Sequence, residues 1–193
     1  ESFLRQPPPA ERFAGRTGAL RLLVVGGSLG AKALNEVVPK ALALLAPGER
    51  PLVRHQSGER QIDALRAAYA EAGVQAELTP FIQDTAEAFA QADLVVCRAG
   101  ASTVTEIAAV GAAALFVPFP FAVDDHQTTN AKFLTDAGAG WLVQQSDFTP
   151  AWLADMLQKT ERSTLLQCGL QAKNMQKTGA TEAMVAACEE LTR

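Results

Sequence analysis

Basic runs, histidine and cysteine are scarce in this chain of 193 residues, and each scarcity removes a class of function. Lysine and arginine number 17 against 21 acidic residues, a formal net charge of −4, and they are scattered. A nucleic-acid binder needs a basic face to meet phosphate, and a polybasic lipid anchor needs a Lys/Arg run; neither pattern occurs. There are two histidines, and the three cysteines, Cys97, Cys168 and Cys188, have neither metal-ligand nor redox spacing. An odd, widely separated set fits reduced thiols better than a disulfide framework. The longest apolar run, near residues 108–117, is broken by Gly111 and is far short of a membrane span. The chain opens Glu1-Ser2-Phe3-Leu4-Arg5 and runs into Pro7-Pro8-Pro9, without the charged start and apolar stretch of a signal peptide. It is expected to be a fragment cut within a linker.

What the chain does have is an alternation of short apolar runs with helical patterns. Residues 20–25 form a strand candidate ending in Gly26-Gly27, followed by a helix over 31–45 with Leu34, Val37, Val38, Ala41, Leu42 and Leu45 at helical spacing. Further strands are expected at 51–56, 74–78, 94–97, 114–117 and 141–143. Helices are expected at 59–72, stopped by Gly73; at 84–91, opened by an acidic residue; at 103–110; and at about 126–136. Another opens at Thr149-Pro150, where proline suits the first helical position. From residue 151 onward only two or three helices are expected, ending over 182–191. Nearly continuous apolar strands alternating with helices specify a parallel sheet covered on both faces. The fold class is therefore α/β: a Rossmann-like, doubly wound parallel sheet of about six strands with C-terminal helices. Residues 1–17 are expected to be linker, 18–160 the ligand-binding domain and 161–193 the C-terminal helices. Ligands on such sheets sit beyond the carboxyl ends of the strands. That directs attention to residues 26–30, Phe81-Ile82, 98–106 and 119–130.

Gly26-Gly27-Ser28-Leu29-Gly30 joins the first strand to the first helix. Glycine admits close approach of a ligand to the backbone, and exposed amides at a helix start favour an anion such as a diphosphate, with Ser28 adding a hydroxyl. A tight turn that holds nothing explains the same residues. The spacing is not Gly-x-Gly-x-x-Gly, and Leu52-Val53-Arg54-His55-Gln56 ends without the acid that grips an adenosine ribose, so a nicotinamide enzyme is disfavoured. Beyond the fourth strand lies Arg98-Ala99-Gly100-Ala101-Ser102-Thr103-Val104-Thr105-Glu106. Thr103 and Glu106 have the spacing of a capping box, in which the two side chains satisfy orphan amides at a helix start. Alternatively, Ser102 and Thr103 present hydroxyls and amides to phosphate while Glu106 takes the two vicinal hydroxyls of a ribose on its two oxygens. The residues alone leave both open. Arg98 is either a contact to diphosphate or uracil, or the partner of a surface acid.

A third segment, Pro118-Phe119-Pro120-Phe121-Ala122-Val123-Asp124-Asp125-His126-Gln127-Thr128-Thr129-Asn130, places polar groups at a helix start. Amide side chains read sugar hydroxyls well, having both donor and acceptor, while His126 also fits an exposed helix-start residue. In His55-Gln56-Ser57-Gly58 a buried or capping role for His55 is favoured, since no cysteine is spaced to make a metal site with it.

Taken in order, Val24-Val25-Gly26-Gly27-Ser28-Leu29-Gly30, His55-Gln56-Ser57-Gly58, Phe81-Ile82, Cys97-Arg98-Ala99-Gly100-Ala101-Ser102-Thr103-Val104-Thr105-Glu106 and Asp124-Asp125-His126-Gln127-Thr128-Thr129-Asn130 closely resemble the MurG family of peptidoglycan glycosyltransferases. The similarity covers essentially the whole chain. It implies the two-domain GT-B architecture, of which this chain resembles the C-terminal half that binds UDP-N-acetylglucosamine. By that resemblance Gly27 and Ser28 lie at the diphosphate, with Arg98 as a further candidate, and Ile82 lies at uracil. Ala101, Ser102, Thr103, Val104 and Thr105 run along the nucleotide, Glu106 holds the ribose, and Gln127 with His126 nearby holds the N-acetylglucosamine. No catalytic residue is expected in this half; the proposed catalytic histidine and the lipid-acceptor surface belong to the other one.

The resemblance also implies inverting transfer of N-acetylglucosamine to lipid I, forming lipid II, at the cytoplasmic face of the bacterial inner membrane. Peripheral membrane contact falls mainly to the other half. The acceptor hydroxyl attacks C1 as UDP departs, so donors fixed on the diphosphate stabilise the transition state more than the ground state. No metal and no cofactor is expected, since no Asp-x-Asp stands at a strand end and Asp124-Asp125 gives no metal geometry by itself. The chain alone is expected to bind nucleotide sugar without turnover. A UDP-N-acetylglucosamine 2-epimerase is the alternative enzyme, and would call for additional acidic and histidine groups. A non-catalytic nucleotide-sugar-binding or scaffolding module is the alternative outside enzymes.

Overall fold

The structure, a computed structural model, describes residues 1–27, 30–179 and 188. Six strands, β1 (Arg21–Val25), β2 (Leu52–Gln56), β3 (Glu77–Thr79), β4 (Leu94–Cys97), β5 (Ala114–Phe116) and β6 (Gly140–Leu142), form one parallel sheet in the order β3-β2-β1-β4-β5-β6. The crossover helices are α2 (Lys32–Ala43), α3 (Ile62–Ala72), α4 (Thr85–Gln91), α5 (Ala101–Val110) and α6 (His126–Thr135). A short α1 (Pro9–Phe13) precedes the sheet; α7 (Pro150–Lys159) and α8 (Arg162–Asn174) follow it. The doubly wound parallel sheet expected from the apolar alternation is the one observed. Of the helices expected after residue 151, α7 and α8 are seen, while 182–191 falls outside the described residues apart from Cys188.

Period-two patterning divides the central strands between two cores. Leu22 and Val24 of β1 pack with Leu34 and Val38 of α2, Leu65 of α3 and Leu153 of α7. Leu23, Val95 and Phe116 face the other way, onto Phe89 of α4, Ile107 of α5 and Leu134 of α6. Leu34, Leu65, Ile107 and Leu134 have no exposure at all, each worth about 2 kcal/mol relative to an exposed side chain. Their sum outweighs the surface ion pairs. Strand β3 starts later than its apolar run because Val74 is spent on the turn after α3. Gly73 takes the left-handed conformation there, and the Val74 amide closes back on Tyr69 O at 3.2 Å. Helix α1 lies within the proline-rich lead, with Pro9 at its first position, where the missing N–H costs nothing.

Strand order reverses between β1 and β4. Helix α2 therefore leaves the end of β1 on one face and α5 leaves the end of β4 on the other, opening a cleft at the carboxyl ends. The opposite end of the sheet is closed by cations. Arg12, nearly buried, donates to Ala90 O at 3.0 Å, Val110 O at 3.0 Å, Gly111 O at 2.6 Å and Pro7 O at 2.9 Å. Those carbonyls include the negative ends of α4 and α5, and Lys173 adds a bond to Ala109 O at 2.5 Å. Burial pushes the Arg12 guanidinium down to about 10, Arg16 lowers it further and Asp93 raises it, so it stays charged at neutral pH. The buried Asp93 carboxylate pairs with Arg16 at 2.6 Å and Arg162 at 3.2 Å. No helix among the described residues is long and apolar enough to cross a membrane.

Arg12→Met keeps most of the packing but leaves buried carbonyls without donors. It is expected to destabilise the domain by about 2–4 kcal/mol, read as a lower urea midpoint with an unchanged slope.

Candidate functional site

The turn after β1 is forced by two close approaches. A Cβ on Gly26 would stand 2.8 Å from the Ala31 amide nitrogen and 3.2 Å from Gln56 O. Gly30 has φ +75° and its Cβ would collide with Ser57 O, so the chain there admits only glycine. Gly27 is held by the side chain of Gln56: its N–H donates to Oε1 at 3.0 Å, and Nε2 donates to its carbonyl at 3.0 Å. Gly27 thus stands at the strand end as the sequence indicates. Ser28 and Leu29 lie outside the described residues.

At the end of β4 the structure excludes one of the two readings, the cap. Helix α5 begins at Ala101 with Gly100 as its N-cap, two residues before the expected start, and no side chain caps it. Thr103 is therefore the third helical residue and Glu106 the sixth. The capping-box reading of Thr103 and Glu106 is overturned. The first intrahelical bond is Val104 N–H to Gly100 O, leaving the Ala101, Ser102 and Thr103 amides at the exposed helix start. Val104 is buried in the core behind them, and Thr105 donates its hydroxyl to Ala101 O at 2.9 Å. Glu106 is half-buried, has no protein hydrogen-bond partner among the described residues, and has its carboxyl pKa raised by burial.

The loop into α5 is fixed from α6. Gln127 Oε1 accepts from the Ala99 amide at 3.2 Å and the Phe119 amide at 3.0 Å, and Asn130 Nδ2 donates to Ala99 O at 3.1 Å. The Gln127 Nε2 group makes no bond among the described residues and remains a donor at the cleft. His126 is exposed, with Nδ1 2.8 Å from Val123 O; the residues before it, Asp124 and Asp125, both have φ 49°. Consecutive non-glycine residues in the left-handed region store strain, which proteins concentrate at ligand loops.

Arg98 sits differently from a ligand cation. It donates to Val117 O and Pro118 O, both at 3.0 Å, and to Gln145 Oε1 at 2.6 Å, with its guanidinium 5.5 Å from the Phe119 ring centre. It grips the loop leaving β5. Ile82 has its side chain packed in the second core at 5% exposure, so this residue offers only its backbone, while the neighbouring Phe81 side chain is exposed. Gln56 and Gln145 escape sequence reasoning because nothing in their spacing announces what their amides hold.

Two cavities lie to the side of the cleft. One of about 340 Å³ is lined by Leu23, Leu52, Arg54 and Glu77; another of about 420 Å³ is lined by Arg54, Thr79, Phe81, Asp84 and Glu87. Arg54 is paired with Glu77 at 2.9 Å, and the further carboxylates repel an anion. The strand-end cleft, with bare amides, is the better anion site. No group of three or more His, Cys, Asp or Glu among the described residues is placed to hold a metal.

A parallel sheet with its order reversing at β1/β4, a glycine-built turn and an uncapped helix define a Rossmann-like α/β domain. Residues 21–189 match the glycosyltransferase family 28 C-terminal domain, and the chain belongs to that family. It is 77% identical over 192 residues to a UDP-N-acetylglucosamine–N-acetylmuramyl-(pentapeptide) pyrophosphoryl-undecaprenol N-acetylglucosamine transferase of Polaromonas sp., covering all of this chain and 50% of that protein. The like-named protein of Albidiferax ferrireducens is 73% identical, with the same coverage. The crystal structure of MurG from Acinetobacter baumannii superposes with a TM-score of 0.89 at 42% identity, over 97% of this chain and 55% of that one. The chain spans about half the length of the relatives it matches.

His55 is a core residue, as favoured from its sequence context. It is fully buried, with Nε2 2.9 Å from Asn35 Oδ1 and Nδ1 3.0 Å from the Tyr69 hydroxyl. Asn35 Nδ2 donates to Gln61 Oε1 at 2.8 Å, so Asn35 presents its oxygen to the ring. The imidazole is then neutral, donating from Nε2 and accepting the Tyr69 proton at Nδ1. Burial pushes its pKa down from 6.5 to about 3. Above about pH 6.5 neither folded nor unfolded chain carries the proton. Below it the unfolded chain binds one and the folded chain does not until about pH 3, so stability falls with pH across that window by at most about 1.4 kcal/mol per unit. His55→Gln is expected to flatten the decline in thermal midpoint between about pH 7 and about pH 4.5; an unchanged slope contradicts the assignment.

Proposed function

We propose that this chain is the UDP-N-acetylglucosamine-binding half of a transferase that passes N-acetylglucosamine, with inversion, to lipid I. The observation that carries the proposal is Glu106: a half-buried carboxylate without a protein partner among the described residues, on a helix whose start is left bare by a glycine cap. A ribose diol supplies two donors to that carboxylate, offsetting the burial that raises its pKa. The Ala101, Ser102 and Thr103 amides, with the partial positive charge of the helix start, meet the diphosphate together with Gly27 and Ser28. The Ile82 segment contributes its backbone to uracil. Gln127 has spent its oxygen on the two loop amides and turns Nε2 to the sugar, with His126 beside it.

As UDP leaves, negative charge grows on the diphosphate. Amides already fixed at that place stabilise it without reorganising, so the protein supplies electrostatic preorganisation. Arg98 contributes indirectly, by holding the Val117-Pro118 carbonyls and so the loop that precedes Gln127. The acceptor, the base that deprotonates its hydroxyl and the peripheral contact with the cytoplasmic face of the membrane belong to the rest of the whole protein.

Calorimetric titration of this chain with UDP tests the proposal. UDP is expected to bind, and Glu106→Ala to weaken it about 10- to 100-fold, the loss of hydrogen bonds to a charged acceptor. The chain alone is expected to transfer no sugar. Heat from an adenine dinucleotide with none from UDP overturns the assignment.

A further inference from the structure

We infer that Gln56 is a positioning residue for the nucleotide, locking the turn at the diphosphate to the segment at the base; the inference rests on the function proposed above. The β1, β2 and β3 ladder ends with Val25, Gln56 and Thr79 in register. Beyond that rung the chain has left strand geometry, and Gly27 has φ +77°. The Gln56 side chain continues the pairing in place of a strand. Its Oε1 accepts from the Gly27 amide and its Nε2 donates to the Gly27 carbonyl, both at 3.0 Å, while the same Nε2 donates to Pro80 O at 2.9 Å.

The third bond sets this glutamine apart from an ordinary turn clamp. Pro80 leads directly into Phe81-Ile82, and the Thr79 hydroxyl fixes the Phe81 carbonyl in that same segment at 2.6 Å. The carbonyls of Gly27 and Pro80 converge on one nitrogen, so neither loop can shift without breaking a bond to the other. Gln56 is 3% exposed and stands behind both loops. It acts through Gly27 and Pro80 and does not touch ligand. Both Nε2 hydrogens are used, and only a side-chain amide of this length makes all three bonds. Glutamate keeps the acceptor, loses both donors and sets a charge against two carbonyls. Methionine fills the volume and makes none of the bonds.

The test compares the parent chain with Gln56→Met and Gln56→Glu by titration with UDP and with UMP, well below each thermal midpoint, together with hydrogen exchange at the Gly27 amide. Positioning predicts that UDP affinity falls about tenfold or more in folded Gln56→Met, that UMP affinity falls less, and that Gly27 exchange quickens about tenfold. A purely structural glutamine lowers the thermal midpoint and leaves both affinities as they were, which overturns the inference. If neither variant folds, Gly27 exchange in the parent decides: protection like that of the β1 amides supports the clamp, and exchange at the rate of an open turn overturns it. A parent that binds UDP beside a variant that binds equally well overturns this inference alone. A parent that binds neither nucleotide overturns the proposed function and this inference with it.

Discussion

A backbone that leaves a parallel sheet must find new partners for its amides and carbonyls, and burying them unpaired costs as much as losing a hydrogen bond. At the two strand ends flanking the β1/β4 reversal, those partners are side-chain amides. Gln56 takes both polar groups of Gly27, and Gln127 with Asn130 takes both polar groups of Ala99. Each clamp satisfies the second residue beyond its strand. The amides further along, at the start of α5, have no acceptor among the described residues. The site is thus a consequence of how the loops are satisfied, with donors held in place before a ligand arrives.

The same helix is treated in opposite ways at its two ends. Arg12 and Lys173 sit on the carbonyls that close α5, while its start has a glycine cap and no side-chain acceptor. Cations at the C-terminal end are favourable to the helix dipole and need no ligand; the N-terminal end is the one the proposed function assigns to an anion. Buried charge is gathered at the bottom of the sheet, around Asp93 and its arginines, and the candidate site lies at the top. That division lets the loops of the cleft carry strain at Asp124 and Asp125 without unsettling the core.

The sheet was legible in the sequence because burial on both faces demands continuous apolar strands, and 94–97 and 114–117 admit no other reading. Boundaries set by hydrogen-bond closure were less so. Val74 is as apolar as any strand residue, yet the turn after Gly73 claims it. The Thr103 and Glu106 pair shows the limit most clearly. Spacing alone cannot say where a helix starts, and moving the start from Thr103 to Ala101 turns a cap into an unpartnered carboxylate. Arg98 stands at a strand end, as a ligand cation would, and three of its five N–H donors go to carbonyl oxygens of the protein, a use no local pattern announces. His55 was expected in a buried or capping role and is buried; its pairing with Tyr69 and Asn35 depends on helices that no local pattern brings together.

The measurement that bears most directly on this account is a crystal structure of the chain with UDP-N-acetylglucosamine bound. The account predicts the diphosphate at the α5 start beside the Gly27 turn, the ribose hydroxyls on the Glu106 carboxylate and uracil against the Ile82 backbone. A nucleotide seated instead in the groove lined by Arg54, Phe81 and Glu87, with Glu106 still unpartnered, would contradict it.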